Sequence, residues 1–227
     1  MNFLEVQFSL RGQTLPADHG YALYSALKKF LQSLEQEQQA KLLIERNLPP
    51  DLLICSIAGI PNQNGIIYLN KNGRFRLRCP AENAAQWYRI LQNQVLDIRG
   101  HLIRLIQPRL TLPQASATLK ARLVTFRLDT WNSQDAPLHF LQSCQKGLAK
   151  LDINAQVSID SNDEGNLAQR AIKIHGKNVL GYGVTVEGLN PENSLKLQGM
   201  GLGGRKHFGC GWFYPVQEVG HENSIRA

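Results

Sequence analysis

Residues 4–34, LEVQFSLRGQTLPADHGYALYSALKKFLQSL, carry the clearest structural signal in the chain. Leu4, Val6, Phe8 and Leu10 alternate with Glu5, Gln7 and Ser9, the period of a strand with one buried face. Leu15 to Gly20 reads as a turn, and Asp18 is placed to cap the helix that follows. In that helix Leu23, Leu27, Phe30, Leu31 and Leu34 form one apolar stripe, with Tyr21, Ser25, Lys28 and Gln32 on the other face. A half-buried strand feeding an amphipathic helix opens an α+β unit.

Working outward, strands fit Leu52–Ala58 and Arg74–Cys79, on either side of a segment containing glycine and asparagine. A helix fits Glu82–Gln92, opened by Pro80, and a strand covers Val95–Leu105. The order strand, helix, strand, strand, helix, strand is the ferredoxin-like pattern, shared with RNA-recognition (RRM-like) domains. Pro108 to Ala117 reads as a connector. Beyond it come a strand at Leu119–Leu128, a helix at Pro137–Leu151, and strands at Ala155–Ile159 and Gln169–His175, with Val179–Val186 extending the pairing. A short helical piece at Glu192–Leu197 leads into a glycine-rich loop, and Gly211–Val216 is the closing strand. The expected fold class is therefore α+β, two tandem ferredoxin-like domains over 1–113 and 118–217, with a flexible tail at 218–227.

Composition narrows the partners. The 227 residues carry a formal charge of +7, with 43% hydrophobic content. That content supports real cores, and the basic balance favours polyanions. No apolar run approaches the roughly 20 residues that span a bilayer. The start of the chain has no basic segment followed by an apolar block, so a cytoplasmic protein without membrane association is expected. Cys55, Cys79, Cys144 and Cys210 are far apart in sequence and form no Cys-x-x-Cys pair. They are expected to be reduced and mostly buried, holding neither a disulfide framework nor zinc.

The most specific motif is residues 199–211, GMGLGGRKHFGCG, in which six of thirteen residues are glycine against 19 in the whole chain. Glycines let a backbone approach a ligand and aim successive N–H groups at it. Lys196, Arg205 and Lys206 add positive charge. Gly201, Gly203, Gly204, Gly209 and Gly211, with His207, therefore read as a phosphate cradle. The nucleotide-triphosphate order Gly-x-x-x-x-Gly-Lys-Ser/Thr is missing, and a strand rather than a helix follows, which excludes a dinucleotide fingerprint.

The run from Ser194 through Gly199, together with Gly211-Trp212-Phe213-Tyr214-Pro215, resembles the C-terminal signature of the CRISPR repeat endoribonucleases. These belong to a wider family of repeat-associated RNA-binding proteins, and the similarity is greatest to its Myxococcus-type subtype. Leu15 through Ala26 resembles the start of the first helix in the same family. Two matches at opposite ends, in the right order, extend the resemblance over essentially the whole chain. It implies tandem ferredoxin-like domains, recognition of a CRISPR repeat RNA, and one cut in each repeat of precursor CRISPR RNA. It also implies a cyclic phosphate end, a 5′ hydroxyl and no metal; no cofactor is expected.

His19 is the catalytic candidate. Attack by a ribose 2′ hydroxyl requires a base, and an imidazole titrates near neutrality. The resemblance supports this choice, because relatives place a histidine in the turn before the first helix. Tyr24 and Lys28 lie four residues apart on one helix face, with Tyr21 on the same side. A lysine there would hold charge developing on the phosphate, and a tyrosine would orient the nucleophile. His207 is the competing base.

Arg74, Arg76 and Arg78 alternate with Phe75 and Leu77, so they are expected to share one sheet face and bind RNA. Lys120 and Arg122 alternate likewise, as do Lys173 and His175, with Lys177 in the turn beyond. An A-form stem is held largely through phosphates and 2′ hydroxyls, which suits such stripes. The aromatic pattern of a conventional RNA-recognition sheet is absent, so base stacking on the first sheet is not expected. Asp160, Asp163 and Glu164 read as a turn with Asn162 and Gly165 rather than as a metal cluster. Two other functions fit parts of the pattern. One is a non-catalytic subunit that holds guide RNA in a CRISPR effector complex. The other is a ferredoxin-like metabolite sensor with no RNA affinity. The oligomeric state is not readable from the sequence.

Overall fold

The computed structural model describes residues 2–34, 48–127, 135–162 and 164–216. The expected tail, the end of the strand expected to reach Leu128, and Asp163 lie outside the described residues.

The first unit is built on β1 (Phe3–Arg11), the central strand of a five-stranded antiparallel sheet. It pairs with β6 (Arg74–Pro80) on one side and β8 (His101–Thr111) on the other. β3 (Leu53–Ile54) flanks β6, and β7 (Val95–Ile98) flanks β8. Leaving out β7, the order β3-β6-β1-β8 is that of a ferredoxin-like sheet. Helices α1 (Gly20–Gln32) and α2 (Ala81–Leu91) cover one face. There Val6, Phe8, Phe75 and Leu77 pack with Leu23, Leu27, Leu31 and Trp87 in one core.

The second unit repeats the plan. β9 (Leu119–Val124) lies between β12 (Lys177–Glu187) and β13 (Phe213–Pro215). β10 (Gln156–Ile159) and β11 (Gln169–Ile174) pair with successive halves of the long β12. The order β10-β12-β9-β13 matches the first sheet. Helices α3 (Ala136–Lys150) and α4 (Pro191–Met200) cover one of its faces. Leu119, Ala121, Phe140, Leu148, Val184 and Phe213 form that core.

Several boundaries differ from expectation for identifiable reasons. Val95–Leu105 is a hairpin, not one strand: Ile98 pairs with His101 across Arg99 and Gly100. Both turn residues have positive φ, 55° and 84°, as a tight two-residue turn requires. β8 runs on through Pro108, which the connector was expected to contain. There β7 has ended, and Pro108 lies beside a register shift at a free edge. Leu52–Ala58 is a strand only at Leu53–Ile54, because the chain then leaves the sheet and Ile57 N–H bonds to His19 instead. The glycine- and asparagine-containing segment supplies β4 (Ile60–Pro61) and β5 (Ile66–Tyr68), and β5 also pairs with β2 (Thr14–Pro16) to make a small extra sheet. Asp18 does not cap α1. The N-cap is His19, and the Asp18 carboxylate accepts from the Lys173 N–H at 2.7 Å.

In each unit the helices take one sheet face, so alternation sends the other face toward the partner unit. Arg78 closes this seam. It is 3% exposed, pairs with Glu5 at 3.1 Å, and donates to the carbonyls of Gln198 (3.0 Å) and Phe213 (2.6 Å). Removing one member of a buried ion pair leaves an uncompensated charge and costs about 3–5 kcal/mol. Glu5→Ala is therefore expected to lower unfolding free energy by about that amount in urea denaturation. Gln7→Ala, two residues along the same strand face from Glu5, should stay within about 1 kcal/mol.

Candidate RNA-processing site

A cavity of about 550 Å3 opens where the two sheets face each other. Arg76 reaches it from β6, Arg122 from β9 and Arg170 from β11, so both units supply positive charge. Trp212 and Tyr214, which flank the core residue Phe213, line it from the second unit. His19, Ser56 and Ile57 form the wall from the first.

His19 is 4% exposed and held at both ring nitrogens. A carbonyl only accepts, so Nδ1–H donates to Pro16 O at 2.9 Å. Nε2 therefore carries the lone pair, and it accepts from Ile57 N–H at 3.0 Å. This fixes a neutral Nδ1–H imidazole. Burial lowers its pKa, the Arg122 charge lowers it further, and the Pro16 carbonyl opposes the shift. Arg122 itself donates to Ser56 Oγ at 3.1 Å across the seam.

Tyr24 and Lys28 do not meet His19 in this cavity. They line a separate groove of about 450 Å3 with Tyr21, Ser25, His175 and Phe208. The Lys28 ammonium lies 6.0 Å from the Tyr24 ring centroid. The Tyr21 hydroxyl hydrogen-bonds His175 Nε2, and the two rings meet edge-on at 4.8 Å. His175, with φ 48°, sits at the tip of the β11–β12 hairpin beside Lys177. Lys173 and Lys177 are exposed on that hairpin.

The glycine-rich segment is a packed seam more than an open cradle. Its first residues end α4, which runs to Met200 rather than stopping at Leu197. Gly201 N–H bonds Leu197 O, Gly204 N–H bonds Thr125 O, and Gly211 N–H bonds Leu123 O, so these donors are already used. A Cβ on Gly199 would lie 2.1 Å from the Phe3 ring, and one on Gly209 would lie 2.2 Å from Ser56 Oγ. Gly203 likewise approaches Thr125 O. Gly199 and Gly209 are required because the two units come this close, and Gly203 because the segment packs against its own unit.

The basic residues of the segment divide. Lys206 donates to Met200 O and is half-buried. His207 donates from Nε2 to Pro49 O at 2.8 Å and stacks on Tyr24, with burial lowering its pKa. It is an interface strut. Arg205 adopts a left-handed conformation at the start of a short 3-10 turn, Lys206–Phe208. Lys196 lies 3.8 Å from Asp152, in the turn after α3.

The arginine stripe also divides. Arg76 lies 3.9 Å from Glu5 and 5.6 Å from the Trp212 ring centroid, and it lines the cavity. Arg74 bonds the carbonyls of Lys71 and Gly73. Arg78, expected on the exposed stripe, is instead buried in the seam at 4.0 Å from the Trp212 ring centroid.

Sequence reasoning missed Arg170, Ser56 and the cavity-facing roles of Trp212 and Tyr214. The alternation around Phe213 was the available signal for the aromatics. All four cysteines are buried and unpaired, with Cys79 and Cys144 thiols pushed up to about 12 by burial. Among the described residues no three His, Cys, Asp or Glu side chains group as metal ligands. No described helix is long and apolar enough to cross a membrane.

Comparison with known proteins gives a consistent pattern. A family model described as Cas6 Crispr matches residues 4–218. The chain is 32% identical over 215 residues to a CRISPR-associated endonuclease Cas6 of Myxococcus xanthus strain DK1622, covering 95% of this chain and 82% of that protein. A solved CRISPR associated protein Cas6 superposes with TM-score 0.67 at 13% identity, covering 95% of this chain and all of that one. A Cas6-related protein from Pyrococcus furiosus superposes with TM-score 0.62 at 11% identity, covering 95% and 99%. These likenesses carry the tandem ferredoxin-like fold.

The buried imidazoles make stability pH-dependent. Their folded pKa values lie below the ordinary 6.5, so between the two values the unfolded chain binds more protons. The stabilisation from neutral His19 and His207 is complete above 6.5 and is lost as pH falls toward the folded values. Urea midpoints should fall as the pH drops below 6.5, and less steeply in a His19→Gln, His207→Gln double variant.

Proposed function

Because the chain belongs to the Cas6 CRISPR family, we propose that it is an endoribonuclease that binds CRISPR repeat RNA and cuts the precursor once per repeat. The observation that carries this reading is the inter-domain cavity. It sets an imidazole held neutral beside arginines from strands of both units. The arginines suit a phosphodiester, and the imidazole suits a ribose hydroxyl.

The proposed chemistry uses no metal. The His19 Nε2 lone pair exchanges its hydrogen bond from Ile57 N–H for one from the 2′ hydroxyl, then takes the proton. Ile57 lies in a stretch without regular strand pairing, which allows that exchange. The 2′ oxygen bonds to phosphorus and the bond to the 5′ oxygen breaks. The imidazolium, beside Arg122 and so a strong acid, returns the proton to the departing 5′ oxygen. The products are a 2′,3′-cyclic phosphate and a 5′ hydroxyl. Arg122, Arg170 and Arg76 hold the charge developing on the phosphate. Lys173 and Lys177 on the hairpin, with Arg74 and Arg205, extend the basic path for the flanking RNA.

A second reading of the reacting centre draws on the Tyr21–His175 pair, which is solvent-accessible and lies over a groove with Lys28. There His175 would be the base, with Tyr24 and Lys28 as the supporting groups. Single-turnover cleavage of end-labelled repeat RNA separates the two. His19→Ala should slow cutting about 100- to 10,000-fold while binding stays within a few-fold, and His175→Ala should slow it little. The opposite ranking moves the centre to the hairpin. A 2′-deoxyribose before the scissile bond should abolish cutting but not binding, and excess chelator should change neither. A wild-type protein that binds repeat RNA yet never cuts it would instead be a guide-RNA-holding subunit.

A further inference from the structure

Trp212 is 4% exposed, and its indole N–H has no hydrogen-bond partner among the described residues. A buried donor left unmade is unfavourable and marks a place where an acceptor is missing. The ring is held in place from one side by Arg78, at 4.0 Å, with Arg76 further out at 5.6 Å. It lines the same cavity as Tyr214, two residues further along the chain and 38% exposed.

Beside His19 and Ser56 the wall carries an apolar stretch from Ile57, Ala58 and Pro61, with Ile67 of the small extra sheet. Arg122 and Arg170 stand at the same cavity. Its volume of about 550 Å3 is that of a small-molecule site, within the usual range of about 300–1,000 Å3. An RNA stem cannot fill such a space, because its bases are paired and stacked inside the helix. A single unstacked base presents both a flat apolar face and acceptors on its edge.

We propose that this cavity is a recognition pocket for one unpaired nucleotide of the bound RNA. The base lies against Tyr214 and the Ile57–Ala58 wall, an acceptor on its edge takes the Trp212 N–H, and the phosphate sits between Arg122 and Arg170. This rests on the RNA-processing reading for the identity of the polymer. It adds that the protein selects its substrate partly by capturing an extruded base.

The test uses the full chain with 15N-labelled tryptophan, the Trp212 indole resonance being assigned by its loss in Trp212→Phe. Titration with the four 2′-deoxynucleoside 3′-monophosphates should shift that resonance saturably for at least one base, and inorganic phosphate alone should not. Tyr214→Ala should weaken the nucleotide about 5- to 150-fold, the range for one base–aromatic stack, and Tyr214→Phe should retain it. A resonance unmoved by every nucleotide, or moved equally by phosphate, overturns the pocket. In a second arm, abasic substitutions are walked along the repeat RNA. One unpaired position should lose about 5- to 150-fold in affinity, and that loss should vanish in Tyr214→Ala. Uniform abasic effects with normal cutting sink the pocket and leave the nuclease standing. Absence of repeat-RNA binding with nucleotide capture intact does the reverse.

Discussion

The Arg78 guanidinium holds the two ferredoxin-like units face to face. It leaves the middle of one sheet, meets Glu5 on the neighbouring strand through Nε, and gives both Nη1 donors to carbonyls of α4 and β13 in the partner unit. A charge this deeply buried is tolerable only when it is paired and hydrogen-bonded. The relative position of the sheets is therefore fixed at one point, and the cavity beside it has a defined width. Trp212 covers the guanidinium and faces that cavity, so the clamp and the site share a side chain.

The seam around the clamp is made of close approaches. Gly20 passes the Phe208 carbonyl, Gly199 passes Phe3, and Gly209 passes Ser56. Asp18 ties the entry of α1 to β11, while His207 ties the glycine-rich segment back to Pro49. His19 is caught in this framework. Its two hydrogen bonds tie the turn after β2 to the stretch after β3, so the proposed base is also a structural member. The same contacts that desolvate it keep it neutral.

Much of the architecture was legible because it rests on periodicity. The alternation in residues 4–10 and the stripe from Leu23 to Leu31 determine which faces are inside, and the structure buries those faces. The hairpin at Arg99–Gly100 was not legible, since arginine is an unusual residue for a left-handed turn position. Arg78 was misread for a different reason. Alternation puts it correctly on the face with Arg74 and Arg76, but period alone does not say what that face meets. The glycine-rich run was recognised as special, and its reason differs: much of its close approach is to protein, across a boundary sequence spacing does not reveal. Arg170 went unnoticed because its partners come from distant strands.

The acceptors for Arg78 in the second unit are main-chain oxygens, at Gln198 and Phe213. A clamp that grips backbone is indifferent to which side chains those positions carry. Drift at those two sites leaves the grip in place so long as the helix end and strand stay where they are, whereas position 78 and its acidic neighbour have no such latitude. The joint thus depends on very few side chains, and the rest of the partner unit's surface there is free to change without loosening it.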